Sequence, residues 1–484
     1  MGRMSFRWDG RVAAAVAAAV CVGSASSSVA DPVEQTDSHG LDPVIVTAES
    51  IRDKMDLPSE GSLVASQPQS VIGAAFFQNN DSPEANYTDI IKFAPSVWTV
   101  DPNGPGLMEN LGTSIRGFQD GQFNVTLDGI PWGDSNDFTH HSTSYFMSQD
   151  MSNVIVDRGP GNAATIGNAT FGGTVYMQSE DPKRVAGLSA LVSYGSFDTQ
   201  IYGLRGDTGT LDKWGGARAF LSVKYLTSEG YLTNANLERS NEFLKVVQPI
   251  DDSTSLTLVS NLNRLRQNPP VGATPNQLRA FGTNYAYNTN PDSQGYYGYN
   301  LDRITTDYEY LGLNSKLGTW TIDNKIYTYA YFHDGYNGLD VGGVLPNGQT
   351  DVGDNPNGTF LTPGGAVQPN DVPGQQLTNN YRSVGDILRL STTLGPGDLQ
   401  FGGWFDHQTN FRRLVEVDFS DQLAYNYDLS VPPGGLPAAL FTDRLQHNQL
   451  FTRQAYAQYI WHNLARRGRA ERLLQSRRDQ VQGC

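Results

Sequence analysis

Three places in this 484-residue sequence carry side chains arranged as if for chemistry. The first is a pair of adjacent histidines, His140 and His141, closing the run Asp134-Ser135-Asn136-Asp137-Phe138-Thr139. Imidazoles beside carboxylates suggest a metal, but neighbours on an extended chain point to opposite sides and chelate poorly. The second is Gly159-Pro160-Gly161-Asn162-Ala163-Ala164, which comes after the β-branched run Val154–Asp157. With Glu180 about 20 residues on, it has the outline of a dinucleotide fingerprint. The crossover helix is missing, because Gly167, Gly172 and Gly173 punctuate the stretch after Ala164 and no apolar stripe of helical period appears. The third is Asp351-Val352-Gly353-Asp354, where Gly353 takes a place at which a calcium loop needs a ligand. No G-x-S-x-G elbow, H-E-x-x-H pair or Walker loop occurs. The sequence thus predicts neither an enzyme nor a resident cofactor or metal.

The elements that must carry these residues are strands. Only 17% of residues are charged, 11% are aromatic and 51 are glycine, which suits an all-β chain with many turns. A net charge of −16 speaks against nucleic acid as a partner, since phosphate needs a basic surface. Mean hydropathy is −0.41 and no apolar run reaches the ~18 residues of a spanning helix. Any membrane reading must rest on alternating strands.

From Thr113 to Asp181, short β-branched runs alternate with Gly and Pro. Ser114-Ile115-Arg116-Gly117-Phe118 comes first, then Val125-Thr126-Leu127-Asp128-Gly129-Ile130-Pro131. Val154-Ile155-Val156-Asp157-Arg158-Gly159-Pro160-Gly161 and Phe171-Gly172-Gly173-Thr174-Val175-Tyr176 complete the set. These read as small strands joined by tight turns, Asp128-Gly129 being one such turn. The order of the four motifs resembles the plug domain of TonB-dependent outer-membrane receptors. The resemblance implies an α+β plug domain followed by an antiparallel transmembrane β-barrel. It also implies that Arg116 and Arg158 pair with glutamates on the inner barrel wall and lock the plug, since a buried guanidinium needs a partner. The alternative is that each caps a turn or meets solvent. Glu309 and Glu416, in strand-like runs, are candidate partners. The loop from Asp134 and the segment Asp101–Asn110 would be outward-facing apices, with Trp132, His140, His141 and Tyr145 as substrate contacts.

The N-terminus reads as a signal peptide over 1–30: Arg3, Arg7 and Arg11 precede the apolar run Val12–Val22, and Ser28-Val29-Ala30 ends in a cleavage pattern. Its removal would take Cys21 and leave Cys484 alone, so no disulfide is expected. Residues 31–50 read as disordered apart from Val44-Ile45-Val46-Thr47-Ala48, which resembles the TonB box. That segment offers an extended backbone for strand addition to TonB. The plug is expected over 51–183, with one helix opened by Ser82-Pro83-Glu84, carrying Tyr87, Ile90, Ile91 and Phe93, and stopped by Pro95.

Over 184–462 long alternating runs take over: Leu188–Phe197, Thr199–Gly206, Ala217–Ser228, Glu242–Val247, Ser255–Leu262, Thr305–Leu317, Thr319–Phe332, Ser383–Leu394, Leu399–Phe411 and Leu450–Trp461. Many have the ~10 residues of a tilted membrane strand. Short turns alternate with long polar loops, and Tyr296, Tyr297 and Tyr299 in one loop suit either substrate contact or an interfacial belt. Ten runs are about half the 22 strands of plugged transporters, so only about half of the barrel strands are expected. Residues 463–484 then turn basic, with six arginines against Glu471 and Asp479. They read as an aberrant tail of the kind a shifted reading frame gives, against a basic amphipathic helix.

The function so implied is TonB-dependent uptake of a scarce nutrient across the outer membrane. A ferric siderophore is the expected cargo, and TonB and outer-membrane lipid are the expected partners. The competing expectations are a secreted soluble glycan-binding β protein and an inactive truncated receptor.

Overall fold

The computed structural model describes residues 59, 67–109, 112–270, 272–291, 293, 295–338, 373–419 and 443–461. The signal segment, Val44–Ala48, Asp351–Asp354 and the basic tail lie outside them.

The inner domain is built from eight short strands: β1 (Gln69–Gly73), β2 (Val97–Trp98), β3 (Ser114–Ile115), β4 (Phe118–Gln119), β5 (Asn124–Leu127), β6 (Ile130–Pro131), β7 (Met151–Asp157) and β8 (Thr174–Ser179). Five of them form a mixed sheet in the order β1-β7-β8-β5-β6, and β2-β3-β4 form a second small one. The two sequence motifs R-G and D-G turn out to be the same device. Arg116-Gly117 links β3 to β4 and Asp128-Gly129 links β5 to β6, all four residues at positive φ. That is the two-residue hairpin loop whose twist suits adjoining strands. β7 runs antiparallel to β8, with no crossover helix between them, so the glycines after Asp157 serve a turn and not the strand-to-helix loop of a dinucleotide fold.

Two short helices cover this sheet: α1 (Ala74–Asn80) and α2 (Tyr87–Ile91). The sequence points to a start at Ser82, but α2 is capped by Asn86 instead. There the Asn86 side chain accepts from the Thr88 and Asp89 amides, while Asp89 accepts from the Asn86 amide at 2.9 Å. This reciprocal cap satisfies more orphan N–H groups than a lone serine. Ile72, Phe77, Ile90, Ile91, Val154, Val156, Val175 and Met177 close the core.

Ten longer strands come next: β9 (Ala186–Gly195), β10 (Thr199–Thr208), β11 (Arg218–Ser228), β12 (Leu237–Pro249), β13 (Thr254–Gln267), β14 (Leu301–Leu317), β15 (Trp320–Gly338), β16 (Pro373–Leu394), β17 (Gly397–Asp418) and β18 (Asp443–Trp461). Each pairs antiparallel with the next in one ten-stranded sheet, and among the described residues β9 and β18 are its edges. Residues 318–319 and 395–396 make tight turns at one end, while 229–236 and 268–300 make long connections at the other.

The two faces of this sheet are inverted relative to a water-soluble protein. Leu204, Leu221, Leu258, Leu311, Ile326, Val384, Leu388 and Phe405 stand exposed on the outer face. Against the inner domain lie Ser222, Lys224, Arg239, Asn241, Asn261, Asn263, Tyr308, Tyr329, Asp406 and Gln408, all buried. Apolar outside and polar inside, alternating along the strands, is the pattern of a lipid-facing wall.

Candidate functional site: the seam between inner domain and wall

The seam is made by strand side chains of the long sheet reaching backbone and carboxylate oxygens of the inner domain. Lys224 on β11 ion-pairs with Asp150, which ends the 3-10 turn leading into β7. Arg239 on β12, 1% exposed, donates to the Phe146 carbonyl at 2.9 Å and to Asn263 at 2.7 Å. Asn241 and Asn261 donate to the Tyr145 carbonyl, and Asn263 and Thr306 to that of Ser144. Three successive carbonyls that no strand partner satisfies are thus held by a register of amides, a hydroxyl and a guanidinium. Left unmade, each would cost a buried acceptor about 1–3 kcal/mol.

Further along, Asp134 is fully buried and accepts from Asn379 at 3.0 Å, Asn410 at 2.6 Å and Arg412 at 2.9 Å. Asp128 builds its tight turn and also takes part in the seam. Its carboxylate accepts from the Ser179 amide at 2.9 Å and from the Tyr310 hydroxyl at 2.9 Å. Arg389 reaches the Gly129 carbonyl at 2.6 Å, and Lys245 pairs with Asp181 at 2.7 Å.

The arginines singled out in the sequence lie elsewhere. Arg116 donates to the carbonyl of Arg158, and Arg158 to that of Pro95 at 3.2 Å, which ties three turns of the inner domain together. Among the described residues neither forms an ion pair with a glutamate. Glu309 sits between Tyr308 and Tyr310, whose hydroxyls point to the inner domain. Strand alternation therefore turns Glu309 to the opposite, outer face. It cannot answer either arginine from there. Glu416 belongs to β17, and its side chain is outside the described residues.

Trp132, His140 and Tyr145 are buried, not displayed on an apex. Trp132 lies edge-on to Tyr87, His140 and Phe146, and the Tyr145 hydroxyl meets Tyr381 and the Ala330 carbonyl, both at 3.2 Å. The adjacent imidazoles part company: His140 Nδ1 stands 2.6 Å from Asp120 and His141 Nδ1 2.6 Å from Glu109. His141 does so from a left-handed backbone, φ 44°, not an extended one. Burial works against charge on His141, but Glu109 and then Asp134 and Asp120 overcome it and raise its pKa to about 9. Burial also pushes the Asp120 carboxyl up, yet contact with His140 holds it below the ordinary value.

The long-loop end has its own anchor. Asn103, 1% exposed, accepts from the Leu232 amide at 3.0 Å and donates to the carbonyls of Leu107 and Ala235. A polar cleft of about 340 Å³ opens beside this loop, lined by Asp198, Glu229, Glu238, Arg266, Gln267 and Tyr297 among others.

Comparison with known proteins agrees with this geometry. Residues 64–174 match the family described as the TonB-dependent receptor plug domain. The chain is similar to the ferric citrate transporter FecA, with TM-score 0.59 and 14% identity over 84% of this chain and 57% of that one. It is similar to the siderophore receptor PiuA from Acinetobacter baumannii, with TM-score 0.55 and 16% identity over 82% and 55%. The FpvA receptor of P. aeruginosa gives TM-score 0.55 and 14% identity over 82% and 49%. The chain spans about half the length of these structures. It carries a TonB-dependent receptor plug domain followed by a ten-stranded antiparallel sheet with the fold of part of those receptors' barrel wall. The inner domain and long sheet are accordingly the plug and the wall.

Proposed function

We propose that this chain is the plug and part of the barrel of an outer-membrane receptor that takes up a ferric siderophore with energy delivered by TonB. The observation that carries the reading is the plug seated against the polar face of a sheet whose other face is apolar and exposed. Such a sheet loses little in hydrocarbon, whereas in water it would present a large apolar patch. The fold shared with FecA, PiuA and FpvA supports the choice of cargo class. Residues 1–30 then direct export, and Val44, Ile45, Val46, Thr47 and Ala48 add a strand to TonB. Cargo lands at the long-loop end, where Glu109 meets His141 and Asn103 anchors the connection 229–236. Trp132, His140 and Tyr145 are buried in the same segment and hold it in place. Arg116 and Arg158 remain candidates for a lock, through wall residues beyond those described.

The test is expression in a strain stripped of its own ferric-siderophore receptors, with single ferric siderophores as the iron source. Outer-membrane fractionation, heat-modifiable gel migration and growth that depends on Val44–Ala48 are expected. Recovery in the soluble fraction would overturn the reading. A chain that reaches the membrane but supports no growth would favour the inactive truncated receptor, an outcome raised by the unpaired edges of β9 and β18 among the described residues.

A further inference from the structure

We propose that Glu109, His141 and Tyr331 form a proton-operated latch holding the two loop-end segments of the plug, 101–109 and 134–145, to the wall. Glu109 and His141 belong to different plug segments and meet at 2.6 Å. The imidazole lies flat on the Tyr331 ring of β15, centroids 4.2 Å apart and planes 12° apart, with Tyr381 of β16 behind at 6.4 Å. A charged imidazole on an aromatic face adds cation–π attraction, which the neutral ring lacks. The joint continues into the wall: the Tyr331 hydroxyl is 3.3 Å from His333 Nδ1, and His333 Nε2 is 2.8 Å from Asp302. Asp302 stands at the start of β14, directly after the connection 268–300. Two imidazole–carboxylate pairs therefore flank one tyrosine, one pair from the plug and one from the wall.

The carboxylates that bear on His141 favour its charged form. They are Glu109, Asp134, Asp120 and Asp137, all from the plug; the wall faces it with the rings of Tyr331 and Tyr381, with His333 behind them. The wall cation Arg412 is engaged with Asp134 and Asp137. Among the described residues His141 Nε2 is buried without a hydrogen-bond partner, so the hold they exert on the ring comes from Glu109 and the stack. A folded-state pKa of about 9 against an ordinary 6.5 means the latch is fully closed below about pH 6.5 and opens as pH rises through 9. The latch depends on neither cargo nor TonB, so it and the transport reading fail independently.

The experiment uses the full chain in detergent micelles. Histidine ¹⁵N resonances are followed through pH, with H140N and H333N for assignment. Amide-exchange protection of 134–145, relative to the chemical rate at each pH, is measured alongside. His141 is expected to titrate near 9, and protection to fall by roughly 70-fold from pH 7 to pH 10.5, the ratio those two pKa values set. E109Q should bring the titration down toward the ordinary value and lower protection already at pH 7, with β5 and β8 unaffected. Protection of 134–145 that ignores pH over that range in the unmodified chain would overturn the proposal. So would an unchanged His141 titration in E109Q.

Discussion

The Lys224 ammonium on the wall and the Asp150 carboxylate on the plug form an ion pair with only 2% and 3% of their side chains exposed. The polarity is opposite to that of the lock implied for Arg116 and Arg158, which these contacts do not involve. Here the plug supplies the anions Asp134, Asp150 and Asp181, and the wall supplies their partners Arg412, Lys224 and Lys245. Removing one member of a buried pair strands the other, at a cost of about 3–5 kcal/mol. Lys224→Met should therefore loosen the plug by that order, seen as a lower urea midpoint for protease access to β7. Adding Asp150→Asn should recover part of the loss.

Gly173 gives a steric test of the same domain. Its φ is 125°, and a Cβ there would stand on the carbonyl oxygen of Asp157 in the neighbouring strand. Gly173→Ala is expected to destabilise the plug sheet by several kcal/mol, on the order of 2–4, from strain plus the forced shift of backbone. Amide exchange of β7 and β8 in detergent-solubilised protein would report it. Gly117→Ala, also at positive φ but with open space around it, should cost less.

Asn103 should control the connection 229–236. Asn103→Ala removes the acceptor for the Leu232 amide and the donor for two carbonyls, worth about 1–3 kcal/mol locally. Faster proteolysis confined to 229–236 is expected, with the wall strands unchanged. If cleavage rates there match the unmodified chain, the anchor does not hold that loop.

Much of this architecture was legible from the chain alone. The Gly- and Pro-punctuated runs marked the plug strands, and all ten long alternating runs fell on wall strands. Even Lys224 could have been found. With Ala219, Leu221, Val223 and Tyr225 forming the apolar face of β11, parity alone turns Phe220, Ser222 and Lys224 inward. What parity cannot give is the partner. Asp150 meets Lys224 across 74 residues of sequence, through a register that only the packed structure defines. The same limit applied to Glu309, whose strand was recognised but whose face was not. Helix α1 was missed because Ala74-Ala75-Phe76-Phe77 is too short to show a helical period. The start of β12 was missed because the inward Arg239 and Asn241 interrupt its apolar pattern.

The Asp120–His140 pair gives an acid-side test. A carboxyl held below its ordinary value stabilises the fold above roughly pH 4, and that contribution is lost as pH falls through the folded value. Asp120→Asn should melt at lower temperature than the unmodified chain at pH 6, with the gap closing toward pH 3. A gap that persists unchanged at pH 3 would mean the lost hydrogen bonds, not the charge, set the difference.

The seam also contains its own optical reporter. Trp132 and Tyr145 of the plug are 4.7 Å apart, Tyr145 is 6.5 Å from Tyr329 of the wall, and Phe146 meets Tyr308 at 5.1 Å. Chromophores from both bodies thus share one rigid, asymmetric cage, the condition for strong near-ultraviolet circular dichroism. Withdrawal of the plug by even one ring diameter would remove the Tyr145–Tyr329 and Phe146–Tyr308 couplings from that signal while leaving the far-ultraviolet spectrum of the strands intact. Seating of the plug against the wall can therefore be followed in real time without attaching a dye.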